Sequence, residues 1–196
     1  MTKYITAELW SRLPKHFHYK GAPNDWVKMT RPGQKLHSFL EGPCFDEHGT
    51  LWLVDVPYGR IFRINDDGKW HLHKNYEGEP HSIKVKEDDS LILTYYKNGL
   101  LEFNLNGQMN VLAKGYDGEP FKGLSDLTIA PNGDLWFTDS GRTSLSDPTG
   151  NVFRLKKDGE LVHVLNNVPY PNGIALSPDG KLVYVAATRA NAVWRL

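Results

Sequence analysis

The chain has 196 residues, 40% of them hydrophobic, 23% charged and 12% aromatic, which is enough apolar material for a buried core and unlike a collagenous or disordered composition. Its 23 basic and 23 acidic residues cancel, so the broad positive field that non-specific nucleic-acid binding needs is missing. Cys44 is the only cysteine, which excludes an intrachain disulfide and a four-thiolate zinc site.

Residues 1–38 read as an N-terminal segment. It opens on Met1-Thr2-Lys3-Tyr4, continues through a polar stretch with Arg12, Lys15 and Lys20, and holds no apolar run of signal-peptide length. No run in the chain is long enough for a membrane-spanning helix. The expectation is a soluble, cytoplasmic protein with neither a membrane nor a nucleic-acid partner. His16 and His18, like His71 and His73 further on, would share one face of a strand, but with no third ligand in view they read as surface residues. Eighteen glycines, twelve prolines, six tryptophans and nine tyrosines favour many short strands and tight turns, hence an all-β fold.

From residue 39 onward the chain repeats itself. The segments Glu41 to Asp55, His81 to Thr94, Ser125 to Asp139 and Asn172 to Ala186 share one plan, each starting ten residues before its own leucine: Leu51, Leu91, Leu135 or Leu182. In each, a strand leads through an acidic or glycine-containing turn to a second apolar strand, a hairpin with its turn chemistry in place. A third strand follows, Arg60–Ile64, Leu100–Phe103, Asn151–Leu155 or Ala192–Leu196, and in the first three units another turn precedes a fourth strand. Four strands make a blade. The leucine-to-leucine spacings of 40, 44 and 47 residues are those of a β-propeller of four-stranded blades. No unit carries the Gly-His and Trp-Asp pair of the WD type.

The fourth unit ends at Leu196 after its third strand. Either residues 1–38 close the ring or residues 39–196 form blades one to four of an incomplete propeller; the expectation favours the fragment, whose oligomeric state the sequence leaves open.

Equivalent positions on innermost strands lie at one depth around the central channel, which places Glu41, His81, Ser125 and Asn172 in one ring. Four polar residues among apolar strands want a shared partner. Carboxylate, amide and hydroxyl oxygens suit a hard divalent cation, Ca²⁺ or Mg²⁺; the alternative is channel water and strand-end capping. The next position gives Asp126, with Gly42 and Gly173 in blades one and four leaving room for a ligand. Connections between second and third strands border the ring. The longest, Asp139–Gly150, is expected to cover the channel mouth, with Arg142 holding an anionic or carbonyl group. Tyr58, Tyr95, Tyr96 and Arg189 fall in the corresponding loops. Cys44 reads as a small core residue, and Ser125 belongs to no Gly-x-Ser-x-Gly motif.

Glu41-Gly-Pro, the Asp126 hairpin ending Leu135-Trp-Phe-Thr-Asp139, and Pro171-Asn-Gly-Ile-Ala-Leu-Ser-Pro-Asp-Gly180 resemble the senescence-marker-protein, gluconolactonase and luciferin-regenerating-enzyme family, and within it the drug-responsive bacterial lactonases. The resemblance runs from about residue 36 to the end. It implies a six-bladed propeller, about four blades of which are present, with a catalytic divalent metal in the channel: Ca²⁺ first, Zn²⁺ or Mg²⁺ as alternatives. It implies hydrolysis of small-molecule lactones or related esters, with Glu41 and Asn172 as metal ligands. The family's Asn-Asp pair reads Ser125-Asp126 here, and its blade-five aspartate, both ligand and proton donor, would lie beyond Leu196. On that basis the metal polarises the lactone carbonyl and activates water, Asp126 or His81 takes the proton, and Ser125 and Arg142 meet the substrate. The rival readings are a non-catalytic binding or scaffold propeller and an inactive lactonase fragment.

Overall fold

The computed structural model describes residues 5–196. Residues 1–4 of the N-terminal segment lie outside the described residues. The segment carries a 3-10 turn at Lys15–Phe17 and helix α1 (Asp25–Thr30), whose cap is Asn24: its side chain accepts a hydrogen bond from Val27 N at 3.0 Å.

Blade one contains β1 (Leu40–Phe45), β2 (Leu51–Asp55), β3 (Arg60–Ile64) and β4 (Trp70–Asn75), paired antiparallel in sequence order. Blade two contains β5 (Pro80–Val85), β6 (Leu91–Tyr95), β7 (Gly99–Phe103) and β8 (Met109–Ala113) in the same order. A two-residue hairpin, β9 (Gly115–Tyr116) with β10 (Glu119–Pro120), leads to blade three: β11 (Leu124–Ile129), β12 (Leu135–Asp139), β13 (Gly150–Leu155) and β14 (Leu161–Val168). Blade four is three-stranded, β15 (Pro171–Leu176), β16 (Val183–Ala187) and β17 (Ala192–Arg195). The four units of the repeat are four propeller blades.

Because strand side chains alternate, each blade has two faces, and the core is a set of layers between successive blades. Trp52, Val54 and Ile61 of blade one pack on Ile83, Leu91, Leu93 and Tyr95 of blade two. Ile92 and Leu100, on the opposite face of blade two, pack on Leu124, Leu127 and Phe137. Val152 and Val168 meet Ile174, Val183 and Val185. Tyr95 therefore ends β6 inside the core, fully buried, and is not the loop residue its place after the second strand suggests.

The N-terminal segment covers the remaining face of blade one. Leu13 and Phe17 pack on Leu53, Phe62 and Ile64, and Trp70 Nε1 donates to Ser11 Oγ at 2.8 Å. The Arg60 guanidinium donates to the carbonyls of Phe17 and His37 while pairing with the buried Asp55. Among the described residues this segment has no strand, and its contacts fall on blade one and not on the edge of blade four. The second face of blade four stays open, with Val193 70% exposed. Among the described residues no helix is long and apolar enough to cross a membrane.

Candidate metal centre in the propeller channel

Every inner strand carries one extra residue at or just after its ring position. Against β2, β1 spends three residues from Glu41 to Cys44 where β2 spends two, Val54 to Trp52; the same shift occurs between Pro80 and Ser82, between Leu124 and Leu127, and between Pro171 and Ile174. A β-bulge re-aims the side chain it contains. The bulges of blades two, three and four contain His81, Ser125 and Asn172, that of blade one follows Glu41, and the four side chains line one cavity of about 230 Å³ together with Gly42, Pro43, Lys84 and Asp126. The ring drawn from the leucine alignment is thus one cavity wall.

The glycines at the next position differ in purpose. Gly42 has φ +58°, and a Cβ there would stand 2.6 Å from Ser82 Cα and 2.7 Å from His81 O, so its hydrogen lets β1 approach the β5 backbone. Room for a ligand is not the reason. At Gly173 a Cβ would meet nothing nearer than Ala186 Cβ and Asp126 Oδ2, both at 3.8 Å.

Asp126 ties three blades together. Its Oδ1 accepts from Ser82 Oγ at 2.6 Å and from Leu127 N at 2.8 Å, and its Oδ2 accepts from Ile174 N at 3.0 Å. Two threonines do related work from the second strands. Thr94 Oγ1 donates to Ser125 O; Thr138 Oγ1 donates to Asn172 O at 2.7 Å and accepts from Asp126 N at 3.0 Å. Each threonine holds the ring residue of the next blade by its main chain.

Two buried carboxylates end β2 and β12, opposite the residues that precede the ring. Asp55 accepts from Phe39 N at 2.7 Å and Asp139 from Gly123 N at 2.8 Å, fixing the entry to β1 and β11. Burial pushes both carboxyls above the ordinary aspartate range, against the lowering effect of these N–H groups and, at Asp55, of Arg60. None of Thr94, Thr138, Asp55 and Asp139 was singled out from the sequence as a supporting residue. Their signal was the paired Leu-x-Leu-Thr and Leu-Trp-Phe-Thr-Asp endings of the second strands.

At the ring, Ser125 Oγ donates to Asn172 Oδ1 at 2.8 Å, and His81 Nδ1 lies 3.4 Å from Glu41 Oε2. His81 Nε2 is buried with no hydrogen-bond partner among the described residues. The donor set fits a hard cation: a Glu41 carboxylate, an Asn172 amide oxygen with a lone pair to spare, and a hydroxyl, beside an unpaired imidazole nitrogen. Among the described residues no three His, Cys, Asp or Glu side chains cluster for a metal, so a cation held here would need amide and hydroxyl oxygens as well.

Arg142 does not line the cavity. It is exposed beside Tyr96, whose ring tilts over His81 with centroids 5.9 Å apart. Burial raises the Tyr96 hydroxyl above its ordinary pKa, and Arg142 opposes that shift. Arg189 stands over the Tyr170 ring at 5.3 Å, while Tyr58 is turned to the N-terminal segment, donating to Leu36 O at 2.6 Å. Cys44 is partly buried against the layer between blades one and two, with its thiol pKa raised by that burial.

The family model for the SMP-30/Gluconolactonase/LRE-like region matches residues 39–196. The lactonase drp35 of Staphylococcus aureus is 31% identical over 179 residues, an alignment taking in 87% of this chain and 53% of that protein. A solved gluconolactonase from Xanthomonas campestris superposes with a TM-score of 0.71 at 26% identity, over 81% of this chain and 57% of that one. A calcium-binding regucalcin from Agrobacterium tumefaciens shares the fold, with a TM-score of 0.67 at 23% identity over 81% of this chain and 53% of that one. The chain spans about half the length of the curated relatives it matches.

Proposed function

From the fact that this chain belongs to the SMP-30/gluconolactonase/LRE-like family, we propose that it opens small lactones or related esters by attack of water at the carbonyl, using the polar end of the channel. The observation that carries the reading is the convergence of Glu41, His81, Ser125 and Asn172, one from each blade, on a single cavity.

Glu41, through its carboxylate, and Asn172, through Oδ1, would hold a divalent cation; the hard oxygen donors favour Ca²⁺, with Mg²⁺ and Zn²⁺ as alternatives. When bound, such an ion polarises the lactone carbonyl and makes nearby water more acidic. Ser125 orients the Asn172 amide and reaches the substrate with the same hydroxyl. Of the two candidates for the proton, hydrogen bonding favours His81. Its Nε2 is unpaired and its other nitrogen faces Glu41, whereas the Asp126 oxygens already accept three hydrogen bonds. Arg142, beside Tyr96 at the mouth, would meet a carbonyl or anionic substituent of the entering substrate. Action in the cytoplasm is part of the same reading.

The test is hydrolysis of simple five- and six-membered lactones by the purified chain, with and without added Ca²⁺ or Zn²⁺, beside Glu41→Gln. The expected result is turnover that needs the cation and falls at least about tenfold in the variant. Absence of cation-dependent turnover overturns the reading and leaves a propeller used for binding.

A further inference from the structure

The cavity that gathers the oxygen donors also contains a cation of the protein's own. Lys84 lines it from β5, three residues beyond His81 and so about 10 Å deeper along the channel. It pairs with Ile92 across the β5–β6 ladder, on the same face as Ser82 and Thr94, the face turned to blade three. Its side chain is half-buried and has neither a hydrogen bond nor an ion pair among the described residues. The lysines in the turns after β5 and β6 are matched: Lys86 with Glu102 at 3.0 Å, Lys97 with Glu79 at 2.7 Å. The carboxylates that share its cavity are engaged elsewhere, Asp126 with the three blades and Glu41 at the ring beside His81. The channel is therefore bipolar, with oxygen donors at its mouth and an unmatched ammonium further in.

We propose that Lys84 is an anion subsite that takes the carboxylate of a small hydroxy acid. The proposal rests on the lactonase reading for the origin of that acid. A lactone is neutral; when water adds to its carbonyl carbon and the ring C–O bond breaks, the ring oxygen takes a proton and the new carboxylic acid ionises. Lys84 thus distinguishes product from substrate by charge, since an ammonium without a counter-ion attracts a carboxylate and is indifferent to an ester. It holds the opened acid in the channel and makes that acid an inhibitor of further entry.

The test is titration of the purified chain, in EDTA, with gluconate, with the neutral polyol sorbitol and with chloride, read by calorimetry. The wild-type chain should bind gluconate and not sorbitol. Lys84→Gln should weaken gluconate binding by about tenfold or more, and Lys84→Arg should retain it. Equal affinity of Lys84→Gln and wild type overturns the proposal, as does sorbitol binding as well as gluconate. Chloride binding as tightly as gluconate overturns the assignment to a carboxylate. Lactone turnover, measured separately, decides the lactonase reading: no turnover with Lys84-dependent gluconate binding sinks that reading and leaves the subsite standing.

Discussion

Replacing Asp126 with asparagine should loosen the joint between blades two, three and four. The carboxylate accepts from three donors, Ser82 Oγ, Leu127 N and Ile174 N, at 2.6, 2.8 and 3.0 Å, and all three donors belong to buried residues. An amide keeps the shape and loses one acceptor. Placed at the Oδ2 position, its NH₂ faces the Ile174 N–H; placed at Oδ1, it faces the Leu127 N–H. Either flip sets donor against donor. Leaving one buried donor unsatisfied costs about 1–3 kcal/mol. At roughly 2–4 °C per kcal/mol for a chain of this size, a loss of about 2 kcal/mol lowers the melting temperature by about 4–8 °C. Asp126→Ala, which strands all three donors, should lower it further. Thermal unfolding followed by near-ultraviolet circular dichroism measures both. An Asp126→Asn chain melting within about 1 °C of wild type would refute the reasoning.

Other consequences are as direct. Gly42→Ala should cost about 2–4 kcal/mol, from its left-handed φ and from the contact with the β5 backbone, whereas Gly173→Ala should stay within about 1 kcal/mol of wild type; paired urea denaturation curves compare them. Thr138→Val removes the bond to Asn172 O, and should cost about 1–2 kcal/mol in the same assay. Burial raises the Asp139 pKa above its unfolded value, so the stability tied to its proton is present at low pH and is lost as pH rises through the folded pKa; the stability of Asp139→Asn relative to wild type should therefore improve from about pH 4 to pH 7, and the opposite trend would refute the assignment. The Cys44 thiol, its pKa raised by burial, should react with a disulfide reagent at pH 8 much more slowly in the native chain than in urea.

The blades and the ring were legible because both rest on local repetition. A turn, a leucine and an apolar strand recur at nearly constant spacing, and equal offsets on equal strands end at equal depth; Glu41, His81, Ser125 and Asn172 follow from that alone. What holds the ring was not legible, because it depends on contacts between blades that lie 31 to 48 residues apart in the chain, such as Thr94 to Ser125 and Asp126 to Ile174. The bulges escaped for another reason. An extra residue in a strand changes which face each neighbour occupies, and simple alternation does not reveal it; Gly42 was the local sign, and it was read as space for a ligand. Tyr95 was misplaced because a tyrosine after a threonine reads as the start of a loop, while the packing between blades one and two takes it into the core. Lys84 carries no sequence signal, since a lysine on a strand ordinarily points to solvent.

That Glu41 and Asn172 reach one cation from separate blades is measured most directly by calcium calorimetry on the purified chain, followed by the same titration of Glu41→Gln and of Asn172→Ala. One binding event in wild type, weakened at least about tenfold by each single substitution and not weakened further by combining them beyond abolition, is the result expected. Calcium binding of equal affinity in wild type and both variants, or none in any of them, would contradict a shared ion at the channel axis.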